Sequence, residues 1–493
     1  MTLEITQSIP QKISDSRVSG LGRIRSSVGR TCPQLFAYLR PVMYLFLLAI
    51  SLPLLRCDVS AEPERKNVLL ITLDGLRQDH VSYFGYGRET TPNIDWLAGR
   101  GIAYDTIISE GTHTKPSLTS LLTSVGYATH QLEHVDDVLS PEYVTLSEVF
   151  QASGYATACV SGTVVLGKTT GFSQGYDSFE DFSGREKEDY IQAPQVTDEA
   201  LTFIEGLGGD RADRPFFMHI HYEEPHPPWF PPSPWLPNRD EDYRIRPFDT
   251  GCTHVPTDES YVEALRDKKE EWIAMYDGAI LQADKQIGRI LKQLEKSGFL
   301  ENTIIAVSTD HGYELLDRYS TTHAYNPFDE VAKVFLVLFD GSRQSWAMKT
   351  GGIMGRTVDI APTLLGAAGI PAPADYQGVD LVKHPESLPK YAFTRGLGSD
   401  SVRTLTHKFV HVDFQGKQRK PGYFREFGDL LFNVAVDPAE SADVKASEPE
   451  VFDELMGVYA SQKALMETNA KAKETVELNA AEEERLRALG YIE

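Results

Sequence analysis

The stretch Asn67-Val-Leu-Leu-Ile-Thr-Leu-Asp74 has the composition of a short strand that is buried on both faces and ends in a carboxylate. Thr303-Ile-Ile-Ala-Val-Ser-Thr-Asp310-His311 repeats this arrangement far along the chain. Such continuous apolar runs are typical of parallel sheets. Because ligand sites in open α/β sheets form outside the carboxyl ends of strands, we expect Asp74, Asp310 and His311 to share a metal site. The alternative is two ordinary turns capped by aspartate.

Strand-like runs alternate with helical stretches from residue 66 to about 385, and this alternation predicts a mostly parallel, doubly wound α/β sheet. The predicted strands are 67–73, 156–161, 216–222, 303–309 and 334–339. The clearest helix runs from Tyr276 to Ser297, where isoleucines and leucines form one stripe. We expect a catalytic domain over 62–385. A small C-terminal α+β subdomain with an antiparallel sheet and a helical tail would occupy 386–493.

Residues 1–61 have the features of an export signal. Several arginines precede an apolar run from Val42 to Leu55, and Val59-Ser60-Ala61 suits signal-peptidase cleavage. The run is shorter than the ~20 residues that a membrane-spanning helix needs, although an uncleaved membrane anchor stays open. We therefore expect an exported protein, periplasmic or extracellular, with no integral membrane domain after cleavage.

The charge of the chain limits its partners. The formal net charge is −23, and removing residues 1–61 takes away seven basic and three acidic side chains. Such an acidic surface argues against a nucleic-acid partner. The expected partner is a small-molecule, glycan or lipid ester that carries a negative charge. Its binding must be local, through a metal, a helix N-terminus or a few cations.

Two more stretches supply candidate catalytic groups. Pro116 suits the first turn of a helix, which places the Thr114 hydroxyl at a helix N-terminus. Beside a metal, such a hydroxyl becomes a nucleophile for an anionic ester; a simple helix cap is the alternative. The apolar run from Phe216 leads into His221 and His226. His226 is a candidate acid for the leaving oxygen, because the ordinary pKa of histidine lies near ambient pH.

Taken in chain order, these stretches resemble the sulfatase family of the alkaline phosphatase superfamily. The motifs that carry the resemblance are Leu73-Asp74-Gly75-Leu76-Arg77, Thr91-Pro-Asn-Ile-Asp95, Thr114-Lys115-Pro116-Ser117, Ser308-Thr-Asp310-His311-Gly312, Val358-Asp-Ile-Ala-Pro-Thr-Leu-Leu365 and Leu486-Arg-Ala-Leu-Gly-Tyr491. The resemblance covers nearly the whole chain after the leader. It implies the alkaline phosphatase-like fold and the hydrolysis of an anionic ester.

The resemblance also implies roles for individual residues. Asp74, Asp310 and His311 match metal ligands, and Thr114 matches the nucleophile, which is a ligand as well. His226 and His323 match groups that contact the ester or its leaving oxygen. The substrate contacts expected beside them are Lys115 and His221.

Three positions depart from the family pattern. Sulfatases carry a Cys or Ser that is oxidised to formylglycine where this chain has Thr114, an Arg where it has Leu118, and often a metal-binding Asp where it has Gly75. Threonine cannot give the aldehyde by the same route, so no formylglycine is expected. A sulfated threonine lacks the exit that the aldehyde hydrate provides, whereas water can resolve phosphothreonine. The chemistry therefore favours phosphate mono- or diesters, or phosphonates.

Several alternatives stay open. Sulfate esters follow from the family resemblance, and phosphotransfer or a retired binding protein follows from the departures. His130-Gln-Leu-Glu133-His134 also matches the spelling of inverzincin metalloproteases, with Glu133 as the base. For the metal we expect one divalent ion, Zn²⁺ or Mn²⁺ rather than Ca²⁺, because the set includes an imidazole and few ligands.

Overall fold

A nine-stranded sheet forms the centre of the computed structural model. The structure describes residues 65–182, 190–207, 214–229, 233–236, 267–318, 322–343, 348–412, 428–470 and 473–488. The predicted export signal, residues 1–61, lies outside these ranges. Within them, the search for a helix with the length and apolarity to cross a membrane finds none.

Apolar runs form the strands of the central sheet. These are β1 (Asn67–Asp74), β2 (Ile102–Ile108), β3 (Ala156–Ser161), β4 (Ser178–Glu180), β5 (Phe216–Pro225), β6 (Thr303–Thr309), β7 (Lys333–Asp340), β8 (Met348–Lys349) and β9 (Gly355–Arg356). Their order is β4-β3-β5-β1-β6-β7-β2-β8, with β9 beside β2. β1 lies parallel to both β5 and β6, while β7 is antiparallel to β6 and β2. The prediction of a mostly parallel α/β sheet is confirmed.

Helices cover both faces of the sheet, and each face has its own buried apolar cluster. The α-helices are α1 (Pro92–Ala98), α2 (Thr114–Thr123), α3 (Tyr127–His130), α4 (Leu146–Ala152), α5 (Ala193–Gly206), α6 (Lys269–Lys296), α7 (Asp329–Ala332), α8 (Ile360–Ala367), α9 (Pro449–Asn469) and α10 (Ala480–Ala488). Short 3₁₀ turns lie at Gln78–His80, Ser82–Phe84, Leu300–Asn302, Thr357–Asp359 and Pro385–Ser387.

A second, antiparallel sheet follows the first. Its strands are β10 (Ala392–Gly396), β11 (Ser399–Arg403), β12 (Lys408–Val412) and β13 (Leu430–Phe432), in that spatial order. Leu455 and Tyr459 of α9 pack against it. The C-terminal subdomain with an antiparallel sheet and helices is confirmed, and the domain boundary near residue 385 stays a prediction.

A buried group of charges anchors the second sheet to α7. We call Asp329, Arg403, Lys408 and Glu440 the balanced cluster, because two carboxylates meet two cations. The ammonium of Lys408, which is fully buried, lies 2.7 Å from Asp329 Oδ1 and 3.0 Å from Glu440 Oε1. Arg403 donates to both oxygens of Asp329, at 3.0 and 2.8 Å. Each buried charge therefore has a partner of opposite sign from the chain itself.

Candidate active site

The carboxyl ends of β1 and β6 bring two aspartates together. Leu73 and Thr309 are register partners, and the chain continues from them into Asp74 and Asp310. The backbone N–H of Gly75 donates to Asp310 Oδ1 at 3.1 Å. Gly75 has a φ of 74°, a left-handed conformation that favours glycine. Both carboxylates are buried.

His311 completes this first group of possible metal ligands. Its Nδ1 donates to the carbonyl of Gly312 at 2.8 Å, so the lone pair resides on Nε2. That nitrogen lies 3.5 Å from Asp74 Oδ1 and 3.4 Å from Asp310 Oδ2. Burial raises the pKa of Asp310 to about 7 and lowers the pKa of His311. Two carboxylates and an imidazole lone pair thus converge with ligand atoms within 4.8 Å of one another, which fits a divalent cation.

Thr114 is the first residue of α2 and faces this group. Its hydroxyl donates to Asp74 Oδ2 at 3.1 Å and lies 3.4 Å from His311 Nε2. The loop before it is fixed by Ser109, whose hydroxyl donates to the carbonyl of Asp310 at 2.7 Å. The sequence-predicted nucleophile and the three predicted metal ligands therefore occupy one buried site at the sheet edge.

The two remaining catalytic candidates lie beside it. The ring of His323 stacks on that of His311, with centroids 4.5 Å apart, and the ring of His226 lies 5.1 Å from His323. His226 Nδ1 donates to Pro227 O at 2.8 Å. Burial lowers the pKa of His226 to about 3, well below the ordinary value on which its expected acid role rested. A bound anionic ester would oppose this shift, because a nearby negative charge favours the imidazolium.

The two predicted substrate contacts differ in their placement. His221, on β5, joins the group: its Nε2 lies 3.9 Å from Asp74 Oδ2. The ammonium of Lys115 does not join it. That ammonium donates to the carbonyls of Asp137 and Val165, at 2.9 and 3.2 Å, and burial lowers the pKa of Lys115 to about 7.

Glu223 is a member of the site that sequence reasoning missed. It forms a second group of possible metal ligands with Asp74 and His221, and all three side chains are buried. The signal was available, because residues two apart on a strand face the same side of the sheet. Burial raises the pKa of Glu223 well above its ordinary value.

The metalloprotease alternative is wrong. Helix α3 ends at His130, so His130 and His134 do not lie one turn apart on a helix. His130 is engaged through both nitrogens: Nε2 lies 2.9 Å from Ser120 Oγ, and Nδ1 accepts from the N–H of Leu132 at 3.0 Å. Glu133 forms an ion pair with Arg395 at 2.9 Å.

Comparison with known proteins gives a family match. The family model described as Sulfatase matches residues 66–370, more than half of the chain. The chain belongs to the sulfatase family. Members of this family are metal-dependent hydrolases, and the two groups of buried ligands are consistent with that chemistry.

The similarity to related proteins covers most of the chain. The N-acetylglucosamine-6-O-sulfatase of Bacteroides thetaiotaomicron is 23% identical and aligns with 88% of this chain and 93% of its own length. The multifunctional alkaline phosphatase superfamily protein PehA of Trinickia caryophylli is 25% identical, over 81% of this chain and 95% of its own. The phosphonate monoester hydrolase of Agrobacterium radiobacter shares the fold, with a TM-score of 0.62, 19% identity and coverage of 84% of this chain and 98% of its own.

Proposed function

We propose that this sulfatase-family hydrolase cleaves an anionic ester with Thr114 Oγ1 as its nucleophile and a divalent cation held by Asp74, Asp310 and His311. The observation that carries the proposal is the position of the Thr114 hydroxyl, 3.1 Å from Asp74 Oδ2 and 3.4 Å from His311 Nε2. The mixed oxygen and nitrogen donors favour Zn²⁺ or Mn²⁺. A bound cation would lower the pKa of the hydroxyl and offset the charge of the ester.

The residues of the chain account for each bond change. The Thr114 proton passes to Asp74 Oδ2, which already accepts the hydrogen bond of the Thr114 hydroxyl. Thr114 Oγ1 bonds to the sulfur or phosphorus as the bond to the ester oxygen breaks. His226, whose protonated form a bound anion favours, gives its proton to the departing oxygen. Water then attacks the sulfur or phosphorus of the adduct and returns one proton to His226, while Thr114 Oγ1 leaves and takes back its proton from Asp74. The products are the alcohol and the free sulfate, phosphate or phosphonate.

Sulfate esters of saccharides are the first candidate substrate class. The relatives are named mainly as sulfatases, among them an N-acetylglucosamine-6-O-sulfatase and a Δ4,5-hexuronate-2-O-sulfatase. These names favour the sulfate alternative over the phosphorus esters that sequence reasoning preferred. The second candidate remains phosphate or phosphonate esters, because threonine lacks the aldehyde exit and a phosphonate monoester hydrolase shares the fold.

A substrate panel tests this function. We would assay the purified chain on aryl sulfate, N-acetylglucosamine 6-sulfate, aryl phosphate, bis-aryl phosphate and aryl phosphonate, each with Zn²⁺, Mn²⁺ or Ca²⁺. Thr114→Ala is the test variant. Thr119→Ala is the matched control, since the Thr119 hydroxyl donates to the carbonyl of Lys115 within α2, away from the ligand groups. Turnover that needs a metal and Thr114 supports the proposal, and the ester class that reacts selects the substrate. Turnover unaffected by Thr114→Ala would overturn the nucleophile, and silence on every ester would favour a retired binding protein.

We propose in addition that the protein is exported, with residues 1–61 removed as a signal. N-terminal sequencing of the protein recovered from an expressing bacterium tests this directly. A new N-terminus near residue 62 in the periplasmic or extracellular fraction is expected. An intact N-terminus in the cytosolic fraction would contradict export.

A further inference from the structure

Asp74 faces two different groups of possible ligands. Its Oδ1 lies 3.5 Å from His311 Nε2, in the group with Asp310. Its Oδ2 lies 3.9 Å from His221 Nε2, in the group with Glu223. Each group keeps its ligand atoms within 4.8 Å of one another. A single buried carboxylate therefore stands between two sets of donors.

The His221 ring is held so that Nε2 points at this carboxylate. Its Nδ1 lies 2.8 Å from Thr72 Oγ1, and the same hydroxyl lies 2.8 Å from His219 Nε2. Thr72 can accept from His221 and donate to His219, which leaves the lone pair of His221 on Nε2. Among the described residues, Nε2 has no hydrogen-bond partner although His221 is fully buried. A buried polar atom without a partner costs about 1–3 kcal/mol, and a separation of 3.9 Å is too long for a hydrogen bond.

We propose that Asp74, His221 and Glu223 hold a second divalent cation beside the one held by Asp74, Asp310 and His311. This inference rests on the proposed function for the first cation, with which it shares Asp74. A cation would bind the lone pair of His221 Nε2, and the Thr72 hydroxyl, at the other ring nitrogen, would hold the ring in this orientation.

The position of Thr114 gives the second cation a use. Its hydroxyl lies 3.1 Å from Asp74 Oδ2, the oxygen that faces His221. Two cations that share a carboxylate lie about 3.5–4 Å apart in two-metal hydrolases, where they stabilise the attacking and leaving oxygens together. The nucleophile is therefore next to both groups. One imidazole and two carboxylates favour Zn²⁺ or Mn²⁺ over Ca²⁺.

Metal stoichiometry tests the second site without relying on activity. We would strip the purified chain of metal, titrate Zn²⁺ or Mn²⁺ by calorimetry, and count the bound ions by plasma mass spectrometry after dialysis. Two ions per wild-type chain are expected. Glu223→Gln and His221→Ala should each bind one ion. Glu224→Gln is the matched control and should keep two, because Glu224 Oε1 accepts from the N–H of Ala193 at 2.7 Å and lies outside both groups.

The outcomes separate the two proposals. One ion in the wild type, unchanged in Glu223→Gln, would overturn the second site and leave the proposed function in place. In that case His221 would have the role predicted from the sequence, a contact with the substrate. No ion in the wild type, with turnover that survives chelation, would overturn the first site as well. The wild-type count alone decides the second site even if a variant fails to fold.

Discussion

Two buried groups of charges in this protein are built in opposite ways. In the balanced cluster, the carboxylates of Asp329 and Glu440 form ion pairs with Lys408, and Asp329 also pairs with Arg403. The active-site edge instead gathers carboxylates around neutral imidazoles. His311 Nε2 lies 3.4 Å from Asp310 Oδ2, but burial lowers the pKa of that imidazole, so it does not supply a positive charge.

The difference separates stability from function. A buried carboxylate without a cation is costly, because desolvation opposes its charge. The balanced cluster offsets that cost with its own cations and gains a fixed junction between the second sheet and α7. The active-site edge leaves the cost in place, and the proposed metal ion would offset it. We infer that a buried group with more carboxylates than cations is suited to bind a cation. A buried group with matched charges instead stabilises the contact between two elements of the fold.

The largest expected effect is on activity. Thr114→Ala removes the nucleophile, so we expect kcat to fall by about 10³-fold or more. The free energy of unfolding should change by only about 1 kcal/mol, since the hydroxyl's hydrogen bond to Asp74 is lost. Steady-state assays and urea unfolding measure the two quantities. A variant that lost stability in proportion to activity would show that Thr114 serves folding rather than catalysis.

The next effect breaks the balanced cluster. Lys408→Met leaves Asp329 and Glu440 short of a cation, and breaking a buried ion pair from one side costs about 3–5 kcal/mol. The free energy of unfolding should fall by that amount. The exposed pair of Lys390 and Glu454 supplies the control: Lys390→Met should leave the free energy of unfolding close to that of the wild type, because solvent screens an exposed pair. Equal losses in the two variants would remove the distinction between buried and exposed pairs.

An Asp→Asn substitution should have opposite effects on stability at the active-site edge and in the balanced cluster. In Asp310→Asn, the amide oxygen can still accept from Gly75, and the amide nitrogen can donate to His311 Nε2. We expect the metal-free protein to gain about 1 kcal/mol of stability while metal binding is lost. Asp329→Asn should instead destabilise, because Arg403 and Lys408 lose their counter-charge. Thermal unfolding with a chelator present checks both signs, and destabilisation in both variants would contradict the account.

The smallest effect concerns pH. Burial alone would raise the pKa of Asp329, but Lys408 and Arg403 hold it well below its usual range. A depressed pKa adds stability above the unfolded-state value of about 3.9, and that stability is lost as the pH falls further. Between about pH 5 and 3, the free energy of unfolding should therefore fall less steeply with decreasing pH in Asp329→Asn than in the wild type. Identical slopes would show that Asp329 is not held in its charged form.

Much of this architecture could be predicted from the sequence, because the central strands are continuous apolar runs. The predicted strand 303–309 matches β6, and the metal-type residues at the ends of β1 and β6 meet as expected. The direction of β7 could not be predicted, since an apolar run has the same pattern in either direction. Strand β11 was missed because Ser399–Arg403 contains mostly polar residues.

The site could be predicted less completely than the fold, because the sequence does not show in which direction each side chain points. The spacing in the sequence placed Lys115 beside Thr114, but the turn of helix α2 carries its ammonium to the carbonyls of Asp137 and Val165. Glu223 escaped notice because the predicted strand ended at residue 222, one residue before it. The two-residue spacing from His221 places both side chains on one side of the sheet, and the pairing of β5 with β1 brings that side to Asp74.

The central claim is that Thr114 forms a covalent bond with the transferred group. The most direct test is peptide mass spectrometry on a reaction quenched during turnover of whichever ester the panel identifies. We predict a sulfuryl or phosphoryl group on the peptide that contains Thr114, and its loss in Thr114→Ala. Steady turnover with no adduct on that peptide, or an adduct at another residue, would contradict the account.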